Sequence, residues 1–135
     1  MSKLIINTDG GARGNPGPAG IGVVVRDDSN RIIAEHKSYI GQTTNNVAEY
    51  KALILALEEA GKIGADQLII NMDSELVVRQ MQGKYKIKEP GLQVLAQEVF
   101  KKLRGFKNVT FQHVMREKNK EADKLVNEAI DLALV

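Results

Sequence analysis

One stretch constrains this chain more than any other: Ile5 to Val25, reading IINTDGGARGNPGPAGIGVVV. A short apolar run ends in Asp9. Five glycines, two prolines and one asparagine follow between Gly10 and Gly20, and Ile21 to Val25 opens a second apolar run. β-Branched runs bounded by Gly and Pro read as strands. The stretch is therefore expected to be a strand, a tight glycine-rich turn and a second strand. Asp9 falls where the first strand ends, beside backbone that no side chain obstructs. A carboxylate there can hold a metal, and a ligand can approach the chain closely. An ordinary Asx turn in a plain hairpin accounts for the same residues, so the rest of the chain has to decide.

The chain has 135 residues, enough for one domain with a proper core over 1–135. It has no Cys, which excludes disulfides, thiolate catalysis and zinc–thiolate sites. The formal net charge of +2 does not by itself predict nucleic-acid binding. With no Trp and three each of Phe and Tyr, a stacking platform of many aromatics is not expected. The N-terminal run is too short for a leader or a membrane span. The expected location is the cytoplasm, with no membrane contact, and the expected state is a monomer.

Lys3–Asp9, Gly20–Arg26 and Arg31–Ile40 read as three strands on short connections, hence an antiparallel meander. Val47, Tyr50, Leu53, Ile54 and Leu57 recur at helical spacing after a cap at Thr44 or Asn45. Gly61 and Gly64 are expected to end that helix. Gln67–Asp73 is an apolar strand closing on an acid, as the first strand does. Ser74 caps a short helix to Gln82. Leu92–Leu103 is a helix, Asn108–Val114 the last strand, and a final helix runs from Lys118 or Asn119 to Leu132. The order β-β-β-α-β-α-α-β-α predicts an α/β fold. Its mixed five-stranded sheet has strands 1–3 antiparallel, strands 4 and 5 parallel to strand 1, and helices on both faces.

Four acids then stand out. Asp9 and Asp73 end strands whose C-terminal ends would be neighbours, the rim where open α/β sheets take ligands. Glu49 lies early in the first long helix, on the side of Leu53, Ala56 and Leu57. Asp123 lies near the start of the last helix. Each has an ordinary explanation: capping beside Asp73, a solvated helix acid at Glu49, and a favourable helix dipole at Asp123. Together they form a cluster of carboxylates that is costly unless cations occupy it. Oxygen ligands without Cys or His suit Mg²⁺ or Mn²⁺. A pair of such ions is the arrangement that hydrolyses phosphodiesters.

With TDGGARGNPGPAGIG at 8–22, TTNNVAEYKALILAL at 43–57, MDSELVV at 72–78 and NKEADKLVNEA at 119–129, the chain resembles the ribonuclease H type 1 family over nearly its whole length. The resemblance implies the ribonuclease H-like fold and cleavage of the RNA strand of an RNA/DNA hybrid to 5′-phosphate and 3′-hydroxyl ends. It implies that Asp9, Glu49, Asp73 and Asp123 are the catalytic and metal-binding carboxylates, holding two Mg²⁺ or Mn²⁺ ions with Asp9 between them. It also implies RNA contacts at the Gly10 and Gly11 backbone and at Asn15, Asn45 and Asn46, where amides suit a 2′-hydroxyl. Thr44 resembles the position that holds a DNA-strand phosphate. Helix capping is the plainer explanation for Asn45 and Asn46.

The chain departs from the pattern in three places. The histidine that many members carry in a loop before the last helix has no counterpart. His113 falls in a strand and is not assigned that role, and Arg116 and Glu117 occupy the equivalent region. Arg116 is a candidate phosphate contact; a solvated loop arginine is the alternative. The long basic protrusion of some members is reduced to GKYKIKEPG, where Lys84, Lys86 and Lys88 face outward and Tyr85 is the sole aromatic. This shortened form resembles archaeal and some bacterial members, and weaker hybrid affinity is expected. Glu75 stands where Gln is common. The alternatives are a nuclease that also cuts double-stranded RNA, a non-catalytic hybrid-binding module, and an integrase-like or resolvase-like nuclease. The presence of all four acids argues against the second, and the TTNN and GNPGP segments against the third.

Overall fold

The computed structural model describes residues 3–135. Met1 and Ser2, part of the expected 1–135 domain and of the short N-terminal run, lie outside the described residues. The elements are β1 (Lys3–Ala12), β2 (Gly17–Arg26), β3 (Ile32–Thr43), α1 (Asn45–Ile63), β4 (Gln67–Met72), α2 (Glu75–Met81), α3 (Pro90–Leu103), β5 (Asn108–His113) and α4 (Lys120–Ala133), with a 3-10 turn at Arg116–Lys118 before α4. They form one five-stranded sheet in the order β3-β2-β1-β4-β5. β1 pairs antiparallel with β2 and β2 with β3, while β4 runs parallel to β1 and β5 parallel to β4. The mixed sheet is the one the element order predicts. The chain builds outward from β1 on one side, then crosses to build outward on the other. The β1/β4 boundary is thus a topological switch, and ligands bind outside the carboxyl ends of strands at such a point.

Helices cover both faces. On one, Leu4, Ile6, Val23, Val25, Leu68 and Ile70 of the sheet pack with Leu53 and Leu57 of α1, Val77 and Val78 of α2, and Val99 of α3. Burying each Leu, Ile or Val side chain contributes about 1.5–3 kcal/mol. On the other face α4 sets Ala122 and Leu125 against Val24. It lies unusually close. A Cβ at Gly22 would stand 2.4 Å from the Ala122 carbonyl oxygen, and one at Gly20 2.9 Å from that of Val126. Tyr50 is fully buried in α1, and its hydroxyl donates to Gln80 Oε1 of α2 at 2.7 Å. Among the described residues no helix is long and apolar enough to cross a membrane.

Several boundaries differ from the sequence reading. β1 does not stop at Asp9 but continues through the glycines to Ala12, and β2 begins at Gly17 rather than Gly20, so the connection is only Arg13–Pro16. The strands persist because the antiparallel register holds from Ile5↔Arg26 out to Ala12↔Ala19. Gly61 lies inside α1. Gly64 ends the helix, at φ +87°, where its lack of Cβ permits the left-handed turn. α3 starts two residues early because Pro90 takes the first helical turn, the one place where a missing N–H is harmless. The last helix is preceded by the 3-10 turn and ends at Ala133.

Candidate active site

The pairing of β1 with β4 ends at Thr8↔Met72, whereas β1 goes on to Ala12 with β2 alone. Past Thr8, one edge of the central strand is therefore open. The N-terminal end of α1 closes it. The Gly10 N–H donates to Glu49 Oε1 at 3.0 Å, and the Ala12 N–H donates to Asn45 Oδ1 at 2.8 Å. Two strand residues advance about 6.6 Å and one helical turn of four residues about 6 Å, so side chains at 45 and 49 match amides at 10 and 12. The contact requires glycine. A Cβ on Gly10 would fall 2.2 Å from the Ala48 carbonyl oxygen. α1 itself is positioned by Thr44, whose Oγ1 accepts from the Val47 N–H at 3.2 Å, and by Asn15, whose Oδ1 accepts from the Asn45 N–H at 3.0 Å.

This arrangement draws the acids together. Asp9 of β1 and Glu49 of α1 are each 7% exposed, and Asp73 follows directly on β4. Asp9, Glu49 and Asp73 each offer a carboxylate oxygen, all within 4.8 Å of one another. Asp123, in the first turn of α4, faces Asp9. Burial, then the charges of Asp73 and Asp123, push the Asp9 carboxyl up to about 8, against the opposing effect of the Gly10 N–H. Burial, then Asp9 and Asp73, hold Glu49 well above the usual carboxylate range. Burial raises Asp73, with Asn119 and Arg116 acting the other way.

The acids line a cleft of about 380 Å³ with Gly11, Arg13, Asn45, Asn46, Arg116 and Val126. Asn15 and Thr44 do not line it; they hold the start of α1. Lys84, Lys86 and Lys88 do not reach it. They line a second groove of about 540 Å³ with Leu76, Tyr85 and Leu92, and Asn46 belongs to both. His113 is exposed at the end of β5 and lines neither groove. Glu75 pairs with Arg79 one turn along α2 at 3.4 Å and sits favourably at that helix's N-terminus. Arg13 was not apparent from sequence. Its guanidinium bridges the glycine-rich turn to α4, meeting Asp131 at 2.7 Å and donating to Asn127 Oδ1 at 3.1 Å. Asn119, 1% exposed, was also missed.

The donor set fits a hard divalent cation: close-set oxygens only, and desolvated enough that protons replace the cation when it is absent. A pH dependence follows. Asp9 binds its proton more tightly folded than unfolded, where the ordinary value is 3.8. The folded state therefore holds the extra proton between these values. The stability this group contributes is fully present below the unfolded value and drains away as pH rises to about 8. In a chelator, the thermal midpoint should fall between about pH 5 and pH 8. Added Mg²⁺ should restore more stability at the upper end than the lower, as scanning calorimetry across that range can measure. An Mg²⁺ effect independent of pH would contradict the protonated cluster.

Comparison with known proteins agrees with this architecture. A protein-family profile described as reverse transcriptase-like matches residues 7–129. A bifunctional protein of Mycobacterium tuberculosis is 46% identical over 132 residues, covering 97% of this chain and 36% of that protein. A ribonuclease HI of Halobacterium salinarum is 43% identical over 123 residues, covering 91% of this chain and 62% of that protein. A ribonuclease H1 isolated from compost by a metagenomic approach superposes with TM-score 0.94 at 55% identity, covering 100% of both chains. The same enzyme solved in complex with an RNA/DNA hybrid gives TM-score 0.93 at 54% identity, covering 98% of this chain and 99% of that one. The chain belongs to the ribonuclease H family. It spans only about a third of the length of its mycobacterial relatives (36%).

Proposed function

We propose that this chain hydrolyses the RNA strand of RNA/DNA hybrids, leaving 5′-phosphate and 3′-hydroxyl ends, with Asp9, Glu49, Asp73 and Asp123 holding two Mg²⁺ or Mn²⁺ ions, and that residues 3–135 work as one catalytic unit. The observation that carries this reading is the meeting of Asp9, Glu49 and Asp73 oxygens within 4.8 Å at the switch point of the sheet. Ions bound there would lower the pKa of an attacking water and neutralise charge building on the phosphate.

The chain's own groups supply the rest. Glu49 is held in place by the Gly10 N–H, so that amide is spoken for and the close backbone approach falls to Gly11. Nothing but Val126 and Asn45 stands within 4 Å of where a Gly11 side chain would begin. Asn46 faces the cleft with amide donors and an acceptor suited to a 2′-hydroxyl, the group that separates RNA from DNA. Asn15 and Asn45 spend their oxygens on the Asn45 and Ala12 N–H groups, which leaves their amide donors for RNA. Thr44 caps α1 with its oxygen and keeps its hydroxyl proton for a phosphate of the DNA strand. Arg116 bears on both Glu49 and Asp73 and offers a cation to the scissile or departing phosphate.

Labelled RNA/DNA hybrid, double-stranded RNA, single-stranded RNA and double-stranded DNA, each with Mg²⁺ and with Mn²⁺, test the reading. Cleavage of the RNA in the hybrid is expected. Cleavage of DNA alone would refute it. Cleavage of both RNA-containing duplexes would widen the substrate to double-stranded RNA, and binding without cleavage would make the chain a hybrid-binding module.

The lysine groove makes a separate prediction. Replacing Lys84, Lys86 and Lys88 together with Ala should raise KM for hybrid and leave kcat within about two-fold, since these residues lie apart from the carboxylates. The log–log salt slope of binding should lose about 0.9 for each phosphate contact removed. An unchanged slope would mark the lysines as solvated charges.

A further inference from the structure

Beneath the carboxylates the sequence repeats itself. LIINTD at 4–9 and LIINMD at 68–73 share the form LIINxD. β1 and β4 are parallel neighbours and set the two copies in identical register: Leu4 opposite Leu68, Ile6 opposite Ile70, Asn7 opposite Asn71. Asparagine is disfavoured in strands, and an amide out of water is costly unless partnered. Two at one level of a central sheet therefore call for a reason.

Their partners supply it. Asn71 Nδ2 donates to Asn7 Oδ1 at 3.4 Å. Asn7 Nδ2 donates to Asn119 Oδ1 at 3.0 Å, and Asn119 Nδ2 donates to the Thr8 carbonyl at 2.9 Å. The Asn119 carbonyl accepts the Asp123 N–H at 3.1 Å where α4 begins. Asn7 is 8% exposed and Asn119 1%, so the two bonds of the Asn119 amide form out of water, while the Asn71–Asn7 bond is half-buried. One layer above, two residues on from Asn7 and Asn71, come Asp9 and Asp73, and one helical turn on from Asn119 comes Asp123. Two valines would fill the same strand positions and replace both partners of the Asn71–Asn7 bond, a change close to neutral in itself, but they would also take the donor from the buried Asn119 Oδ1. Asn71 even leaves its Oδ1 buried without a partner.

We propose that the Asn7–Asn71–Asn119 cross-tie is a positioning device. It fixes β1, β4 and the start of α4 at one spacing, and thereby sets how tightly Asp9, Asp73 and Asp123 hold a divalent cation. The inference rests on the metal-dependent reading above.

The test compares the parent chain with Asn7→Val/Asn71→Val and with Asn71→Val alone. Mg²⁺ and Mn²⁺ affinity is measured by calorimetry, the thermal midpoint in chelator, and kcat and KM on hybrid. The double variant should still fold, melting somewhat below the parent in chelator because Asn119 Oδ1 loses its donor. It should bind Mg²⁺ at least about ten-fold more weakly and lose kcat by a similar factor, the usual effect of removing a group that orients metal ligands. KM for hybrid should stay within about two-fold. Asn71→Val, which removes the longest bond of the tie and the partnerless Asn71 Oδ1 but leaves Asn7 Oδ1 without its donor, should fold close to the parent and weaken Mg²⁺ binding by about three-fold. If the double variant does not fold, that single affinity decides. Parent-like Mg²⁺ binding by the folded variants would overturn the cross-tie, as would an activity loss that merely tracks the unfolded fraction. A parent chain that bound no divalent cation would overturn the site reading, and the cross-tie with it.

Discussion

Asp9→Asn is expected to abolish cleavage and, in the same protein, to raise its stability in the absence of metal. The two effects share one cause. Asp9 is buried beside Glu49, Asp73 and Asp123, and its carboxyl is pushed up to about 8. At neutral pH and above, without a cation, the folded chain must either hold a proton there or bear a desolvated like-charge cluster. The amide keeps the shape and removes the charge. Its thermal midpoint in chelator should therefore exceed the parent's by about 5 °C or more near pH 8, the shift expected for one to two kcal/mol in a domain of this size, and the gap should close towards pH 4. Cleavage should fall by about three orders of magnitude or more, because metal-borne stabilisation amounts to several kcal/mol and each 1.36 kcal/mol is ten-fold in rate. Hybrid binding should survive, since the residues proposed to meet phosphate and ribose lie elsewhere. Asp73→Asn should lose activity likewise. A role confined to packing would move stability down along with activity, and an Asp73→Asn variant cutting at near the parent rate would remove that residue from the site.

The second large effect separates two adjacent glycines. Gly10→Ala should destabilise the fold strongly, while Gly11→Ala should leave the fold intact and damage cleavage. A Cβ at Gly10 meets backbone, 2.2 Å from the Ala48 carbonyl oxygen and 2.6 Å from the Glu49 N, and no rotamer change can relieve it. α1 must shift, at about 3 kcal/mol or more for a rigid overpacked contact, and Glu49 moves with it. At Gly11 the nearest atoms are Val126 Cγ1 at 3.8 Å and Asn45 Oδ1 at 4.0 Å, ordinary contact distances. The added methyl enters the cleft and not the core. Thermal melts alongside cleavage assays of the two variants check the contrast. Equal loss of fold and activity at Gly11 would reduce that residue to a hairpin glycine.

That contrast also explains what could be read in the sequence. The element order, the mixed sheet and the meeting of Asp9, Glu49 and Asp73 follow from apolar periodicity and from acids at strand ends, because both signals are local. The extent of β1 and β2 does not, since glycine carries two meanings that composition cannot separate. In Gly10–Gly22, Gly14 alone adopts a positive φ, at +87°. Gly10, Gly20 and Gly22 lie in extended strand and are there to admit α1 and α4. A segment that looked like a long turn is mostly sheet under closely packed helices. Asn119 was legible only as a possible start of the last helix, because its partners lie 111 and 112 residues away. The signal for Asn7 and Asn71 was present as the twice-written LIINxD, but its meaning depends on the two copies lying side by side. Arg13, inside the glycine-rich turn, gave no sign that its partners would be Asp131 and Asn127.

The open edge of β1 beyond Thr8 has a kinetic consequence. The amides of Gly10 and Ala12 sit in the middle strand of the sheet, yet side chains of a single helical turn shield them, not a neighbouring strand. Their exchange with solvent deuterium is gated by the lifting of that turn, a far smaller opening than strand separation. They should exchange ahead of Ile6, two residues inside the end of the parallel pairing, and slow when a ligand engages Glu49. The carboxylate end of this molecule can thus breathe while its sheet stays closed, and two backbone protons keep the time.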